Sequence, residues 1–208
     1  YIATMDNNKI LFLKPPDRFL ESEFVYQQLG PHYLQSFLHQ HDISSDLLVL
    51  YETMDARSAR SMTSNYPFKL EDLNMLLLLE DGQSIDSSFD KSVFEDYAIV
   101  AMSVMTPQAP DAYILNQLIK KEYSHILTVI GGSHARYYLK QVMNLDRHIS
   151  FDFVVPQDGW NPMLQIALGA VSRASSPTIL EDKMHRLDQL PAPTRPQALM
   201  ERYHFDIG

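Results

Sequence analysis

The residues with chemistry to offer gather where three apolar runs end. The run 97–104 closes on Ser103, Val104 and Met105, then Thr106, Pro107 and Gln108; the run 126–130 closes on Gly131, Gly132, Ser133 and His134. A third, FDFVV at 151–155, gives way to Pro156, Gln157, Asp158, Gly159 and Trp160, the only tryptophan. This is a vocabulary for binding. Glycines allow close backbone approach and leave amide donors open at a helix start. Hydroxyls and amides supply hydrogen bonds, Met102 and Met105 soft apolar contact, and Trp160 a face for a planar group or packing against the sheet edge. Ser103 and Thr106 fit helix capping equally well. The text AMSVM around Ser103 lacks the GxSxG elbow of a serine nucleophile, and no acid–base–nucleophile set is visible. With no cysteine in the chain, thiolate catalysis, Cys-type zinc sites and iron–sulfur ligation within it are excluded.

Metal ligation has equally little to stand on. Of the eight histidines, His32 and His39 are two helical turns apart and His39 and His41 diverge; none forms the i, i+4 pair of a zincin. His134 is the one of interest, because it follows Gly-Gly-Ser at a strand end. Neither GxGxxG nor a P-loop occurs, so dinucleotide and nucleoside-triphosphate sites lack support. A phosphorelay receiver needs acids after its first strand and an Asp after its third. Here those places hold Lys14-Pro15-Pro16 and Ser103.

The elements that position these residues alternate strand, loop, helix, which is the pattern of a parallel α/β sheet. The strands read as continuous apolar runs, as when helices cover both faces, and ligands of such sheets sit beyond the carboxyl ends of the strands. Strands are predicted at 9–13, 47–51, 97–104, 126–130 and 151–155. Helices are predicted at 24–40 (with Gly30-Pro31 as its true start or a kink), 70–80, 87–95, 109–121, 133–143 and 160–168. Residues 53–69 show no clear period. Together this predicts an α/β, flavodoxin-like (Rossmann-like) five-stranded parallel sheet of order 2-1-3-4-5 with helices on both faces. The proline-punctuated text after Gly169, including LDQLPAPTRP, reads as an extended connector. The expected division is a domain at 1–170 and a linker at 171–208.

Composition sets the outer bounds. The chain has 208 residues, 45% hydrophobic and 21% charged, enough for one domain with an extension. No apolar run nears the ~20 residues of a membrane span, and no signal peptide is visible. A net charge of −9 with scattered basic residues argues against a nucleic-acid surface. A cytoplasmic protein is expected.

Taken in order, five blocks are similar to the N-terminal cobalamin-binding domain of cobalamin-dependent radical SAM enzymes: KILFLKPP with QLGPHYLQSFLHQHD, VAMSVMTPQAPDAYILNQLIK, VIGGSHARYYLKQVM, FDFVVPQDGW and LDQLPAPTRPQALMERYHF. The likeness spans nearly the whole chain. It implies that cobalamin is bound at Ser103, Val104, Met105, Thr106, Gln108, Gly131, Gly132, Ser133 and His134, with Gln157, Asp158 and Gly159 where the family has a GEGE segment. It also implies a base-off state without a protein histidine on cobalt, since no DxHxxG occurs. The CxxxCxxC of the radical SAM barrel is absent, so S-adenosylmethionine and the 4Fe–4S cluster belong to a missing part of the parent protein, whose radical SAM domain is the expected partner. On this reading the chain is an excised N-terminal domain, and the parent's activity is methyl transfer to carbon. The rival expectation is a flavodoxin-like interaction or sensor module that has lost the cofactor; a hydrolase is disfavoured.

Overall fold

The computed structural model describes residues 9–18, 24, 29–59, 69–182, 190–193 and 195–202. The first strand, β1 (Ile10–Lys14), is followed by helix α1 (Leu29–His39), strand β2 (Ser45–Glu52) and a short helix α2 (Met54–Ala59). Strands β3 (Leu73–Leu78) and β4 (Ser84–Ser88) form a hairpin. Strand β5 (Ile99–Ser103) then leads to helix α3 (Ala109–Glu122), strand β6 (Leu127–Gly131) and helices α4 (Gly132–Tyr137) and α5 (Leu139–Met143). The chain closes with β7 (Phe153–Val154), helix α6 (Trp160–Ala167), β8 (Thr178–Ile179) and helix α7 (Gln197–Met200).

These strands make one mixed sheet in the order β4-β3-β2-β1-β5-β6-β7-β8. The architecture is α/β with a mainly parallel sheet, but among the described residues it has eight strands where five were predicted, and the order differs accordingly. The main source of the difference is the segment 70–80. Leucine favours helices intrinsically, which is why LNMLLLL reads as one. The apolar run is short, however, and ends in a turn where Gly82 takes φ +87°, so it is a buried strand in a hairpin. β3 pairs antiparallel with β2, Leu47 opposite Leu78, and β4 pairs antiparallel with β3. The predicted helix at 87–95 is displaced in the same way: β4 runs to Ser88, and a 3₁₀ helix follows at Lys91–Asp96 with Asp90 accepting from Ser92 N. The other addition is β8, which pairs parallel with β7. Of the predicted helix 24–40, α1 begins at Leu29, so Gly30-Pro31 lies in its first turn; residues 25–28 lie outside the described residues.

The core lies in two layers, one on each face of the sheet. Leu11 and Leu13 of β1 point into one with Leu115 and Ile119 of α3, while Ile10 and Phe12 point into the other with Phe37 of α1 and Ile166 of α6. That alternation along a single strand is what two covered faces require. Two buried carboxylates fasten the amino ends of the strands. Asp46 accepts from Tyr97 Oη at 2.5 Å and from Glu80 N at 2.9 Å, and meets Lys9 Nζ at 2.7 Å. Asp152 accepts from Thr128 N at 2.8 Å and joins Lys120 and Arg173.

Within the 171–208 stretch, Leu199 is 1% exposed and sits in the second layer, with Leu190, Ala198 and Met200 packed against it. Arg202 reaches Asp86 on β4 and lies over the Tyr51 ring at 5.9 Å. Residues 190–193 and 195–202 therefore return to the sheet and help to cover the flank made by the inserted hairpin. Among the described residues no helix is long and apolar enough to cross a membrane.

Candidate functional site

A cleft of about 240 Å³ opens at the carboxyl ends of the parallel strands, between α1 and α6. Phe12, Ala101 and Val129 form its apolar floor. Ser103, Gly131, Gly132 and Val155 stand at the strand ends above them. One wall is α1, through Gly30, Tyr33 and Leu34; the other is the start of α6, through Gln157, Asp158, Gly159, Trp160 and Met163. Positions 30, 33, 34 and 37 share one face of a helix. That face carries the wall, and Phe37 and Tyr33 hold Trp160 edge-on at ring distances of 5.6 and 6.0 Å.

Of the twelve residues at which the resemblance implies cobalamin is bound, six line this cleft: Ser103, Gly131, Gly132, Gln157, Asp158 and Gly159; Met102 and Trp160, also singled out in the sequence, line it too. The other six do not: the chain turns toward the α3 face after Ser103, and Ser133 and His134 lie beyond Gly132 on α4. Val104 is buried in the opposite core layer, and its carbonyl accepts from His134 N at 2.9 Å. Gln108 is 1% exposed and closes its own loop, accepting from Met105 N at 3.0 Å and donating to Pro15 O at 3.4 Å. Met105 and Thr106 open that 3₁₀ turn, and Ser133 faces out from α4. His134 is buried, with Nε2 2.7 Å from the Tyr113 hydroxyl, Nδ1 3.4 Å from Thr106 Oγ1 and its ring stacked on Tyr138. Burial pushes its pKa below the ordinary histidine value, so it is a neutral link between loop and helices.

The glycines divide by cause. Gly132 has φ +85°, and a Cβ there would lie 2.7 Å from Val104 N and 2.8 Å from Val104 O. Its glycine is demanded by the chain's own backbone, whatever binds nearby. Gly30 is different: a Cβ would meet only Ser103 Oγ, at 4.0 Å. The open space beside Gly30 belongs to the cleft. The sequence analysis did not place Gly30, Tyr33 or Leu34 at the site; their i, i+3, i+4 spacing is what puts them on one face of α1.

The electrostatics favour an uncharged guest. The amino end of α6 is already served by Asp182, whose Oδ2 accepts from Asn161 N at 3.2 Å and Oδ1 from Asn161 Nδ2 at 3.0 Å. A buried carboxylate at that position answers the positive end of the helix and leaves it no call on a phosphate. Among the described residues no lysine or arginine lines the cleft, whereas Asp158 does. An apolar floor, aromatic walls and one central hydroxyl suit a flat, mainly apolar group with a few polar edges. Among the described residues the cleft holds no nucleophile–base pair. Among the described residues no group of three His, Cys, Asp or Glu side chains could hold a metal ion. The chain matches no protein family, no curated protein and no solved structure.

Proposed function

We propose that this chain binds cobalamin as the N-terminal domain of a radical SAM enzyme. The observation that carries the proposal is the cleft itself: an apolar-floored opening at the carboxyl edge of the sheet, lined among the described residues by no lysine or arginine, with Gly30 and Ser103 facing across it. At about 240 Å³ it has no room for a corrin macrocycle, but it suits the flat bicyclic base of the cofactor's nucleotide tail. A base held there is a base withdrawn from cobalt, which agrees with the base-off state implied by the resemblance. When bound, cobalamin supplies a transferable methyl group. The chain's own residues would bind and orient: Tyr33 and Trp160, in edge contact with each other, would line the space for the base, Ser103 would donate to it, and the apolar floor would exclude water. S-adenosylmethionine, the 4Fe–4S cluster and methyl transfer belong, on this reading, to a cytoplasmic parent protein whose radical SAM domain is the partner.

The test is an absorbance titration with hydroxocobalamin followed by desalting. A base-off corrin spectrum retained near stoichiometry, with loss of Trp160 emission, is the expected result. Gly30→Leu, which fills the open space without a backbone clash, is expected to abolish retention while the far-UV CD spectrum stays unchanged. Folded protein that emerges colourless overturns the proposal. It would favour the second reading, a flavodoxin-like interaction or sensor module that has lost its cofactor. One observation supports that rival: Val104, Gln108 and His134 are committed to internal contacts.

A further inference from the structure

Helices α4 and α5 present a face that the core does not use. Tyr138 N donates to His134 O at 2.9 Å and Val142 N to Tyr138 O at 3.0 Å, so one helical path runs across the break between them. Along that path Ala135 and Val142 are buried in the layer shared with α3, while Arg136, Tyr137 and Lys140 are exposed together. The floor of the cleft belongs to the other layer, across the sheet. Tyr137 is 74% exposed and Tyr138 45%. Single exposed rings are ordinary, but these two are held in place. The Arg136 guanidinium lies over the Tyr137 ring at 5.9 Å. The Tyr138 ring is stacked at 5.1 Å on the imidazole of buried His134, which itself stands 2.7 Å from the Tyr113 hydroxyl.

Charge sets this face apart. Lys9, Arg18, Lys91, Lys120, Arg173 and Arg202 each pair with a carboxylate; among the described residues no carboxylate pairs with Arg136 or Lys140. Residues 123–145 contain none of the chain's 26 aspartates and glutamates. Two uncompensated cations therefore stand beside two held aromatic rings on a chain whose net charge is −9. We propose that the exposed face of α4 and α5 is a docking surface for an acidic segment of another protein. Tyrosine and arginine are the side chains that anchor protein–protein contacts, and rings already held give up little freedom on binding. Carboxylates of the partner meet Arg136 and Lys140, and its apolar side chains meet Tyr137 and Tyr138. A nucleic acid fits less well, because it is held through many phosphate contacts and this face offers two cations. An anionic membrane surface calls for roughly four to eight clustered lysines and arginines. The surface is independent of what the cleft binds.

The experiment titrates the full chain into a fluorescein-labelled synthetic peptide of glutamates interrupted by leucine and phenylalanine, and into its lysine counterpart, read by fluorescence anisotropy. The acidic peptide is expected to bind and the lysine peptide is not, and binding is expected to weaken several-fold between about 50 and about 300 mM salt. Arg136→Glu and Lys140→Glu are each expected to weaken it about tenfold, and Tyr137→Ala about tenfold with the salt dependence retained. Lys121→Glu makes the same charge change at an exposed position in the last turn of α3; it is expected to stay within about twofold of wild type. The proposal is overturned by an acidic peptide that does not bind, by Tyr137→Ala without effect, or by Lys121→Glu that weakens binding as much as Arg136→Glu, which would mark bulk charge alone. Tighter binding of labelled oligothymidylate or of phosphatidylserine vesicles overturns it too, and would assign the face to nucleic acid or to membrane.

Discussion

Replacing Gly132 by alanine isolates the demand that the strand end makes on its own backbone. Two costs are readable from the structure. At φ +85° an L-residue costs about 1–2 kcal/mol. The new Cβ also lies 2.7 Å from Val104 N and 2.8 Å from Val104 O, and Val104 cannot step aside freely. Its N–H donates to Gly131 O at 3.0 Å and its carbonyl accepts from His134 N at 2.9 Å. Lengthening these two bonds adds about 1 kcal/mol each, for a total near 3–4 kcal/mol. Gly82 provides the control: its φ is +87°, yet nothing lies within 4 Å of a Cβ there, so Gly82→Ala is expected to cost only about 1–2 kcal/mol. Urea unfolding followed by Trp160 emission measures both. With a slope of about 2 kcal/mol/M, the midpoint is expected to drop by roughly 1.5–2 M for Gly132→Ala and by less than about 1 M for Gly82→Ala. Equal drops would refute the claim that close approach, and not conformation alone, reserves position 132 for glycine.

Two further expectations rest on single hydrogen-bonded groups. Asp182→Ala removes the carboxylate at the head of α6 and is expected to cost about 1 kcal/mol, read in the same urea titration, with a red shift of Trp160 emission as the neighbouring turn frays. Tyr97 bears on alkaline stability: burial, then its bond to Asp46, pushes the phenol well above its ordinary value of 10.0. A pKa raised by folding gives stability that is present below 10 and lost as pH rises above it. Wild-type protein is therefore expected to lose stability above about pH 10, and Tyr97→Phe to lose less over the same range; parallel curves would count against the assignment.

The parallel part of the sheet was legible because its strands are short apolar runs closed by loop residues, as at 99–103 and 127–131. The hairpin at 73–88 was not. The run from Met75 to Leu79 fits a helix or a strand equally until something fixes its length, and here Gly82 fixes it. The cleft was half legible. Strand ends announce themselves through Ser103, Gly131 and Gly159, but direction does not: one residue beyond Ser103 the chain faces the opposite layer, and period-2 alternation alone says nothing of where a strand stops. The contribution of α1 was hidden because Gly30-Pro31 reads as punctuation. It takes the tertiary packing of α1 against α6 to turn Gly30 from a helix breaker into open space. Asp182 lay within text read as connector, and only the placement of β8 beside β7 brings it to the head of α6.

The return of the C-terminal segment gives this fold a timetable. Arg202 meets Asp86 across 116 residues of sequence, and Leu199 completes a core layer that already contains Leu76 and Leu78. At synthesis rates of about 5–20 residues per second, that interval lasts roughly 6–23 s. During it the layer that holds Leu76 and Leu78 lacks Leu199, and Asp86 lacks Arg202. Folding that waits on so distant a contact is slow by topology, and the waiting state is the one most open to aggregation or to capture by a chaperone.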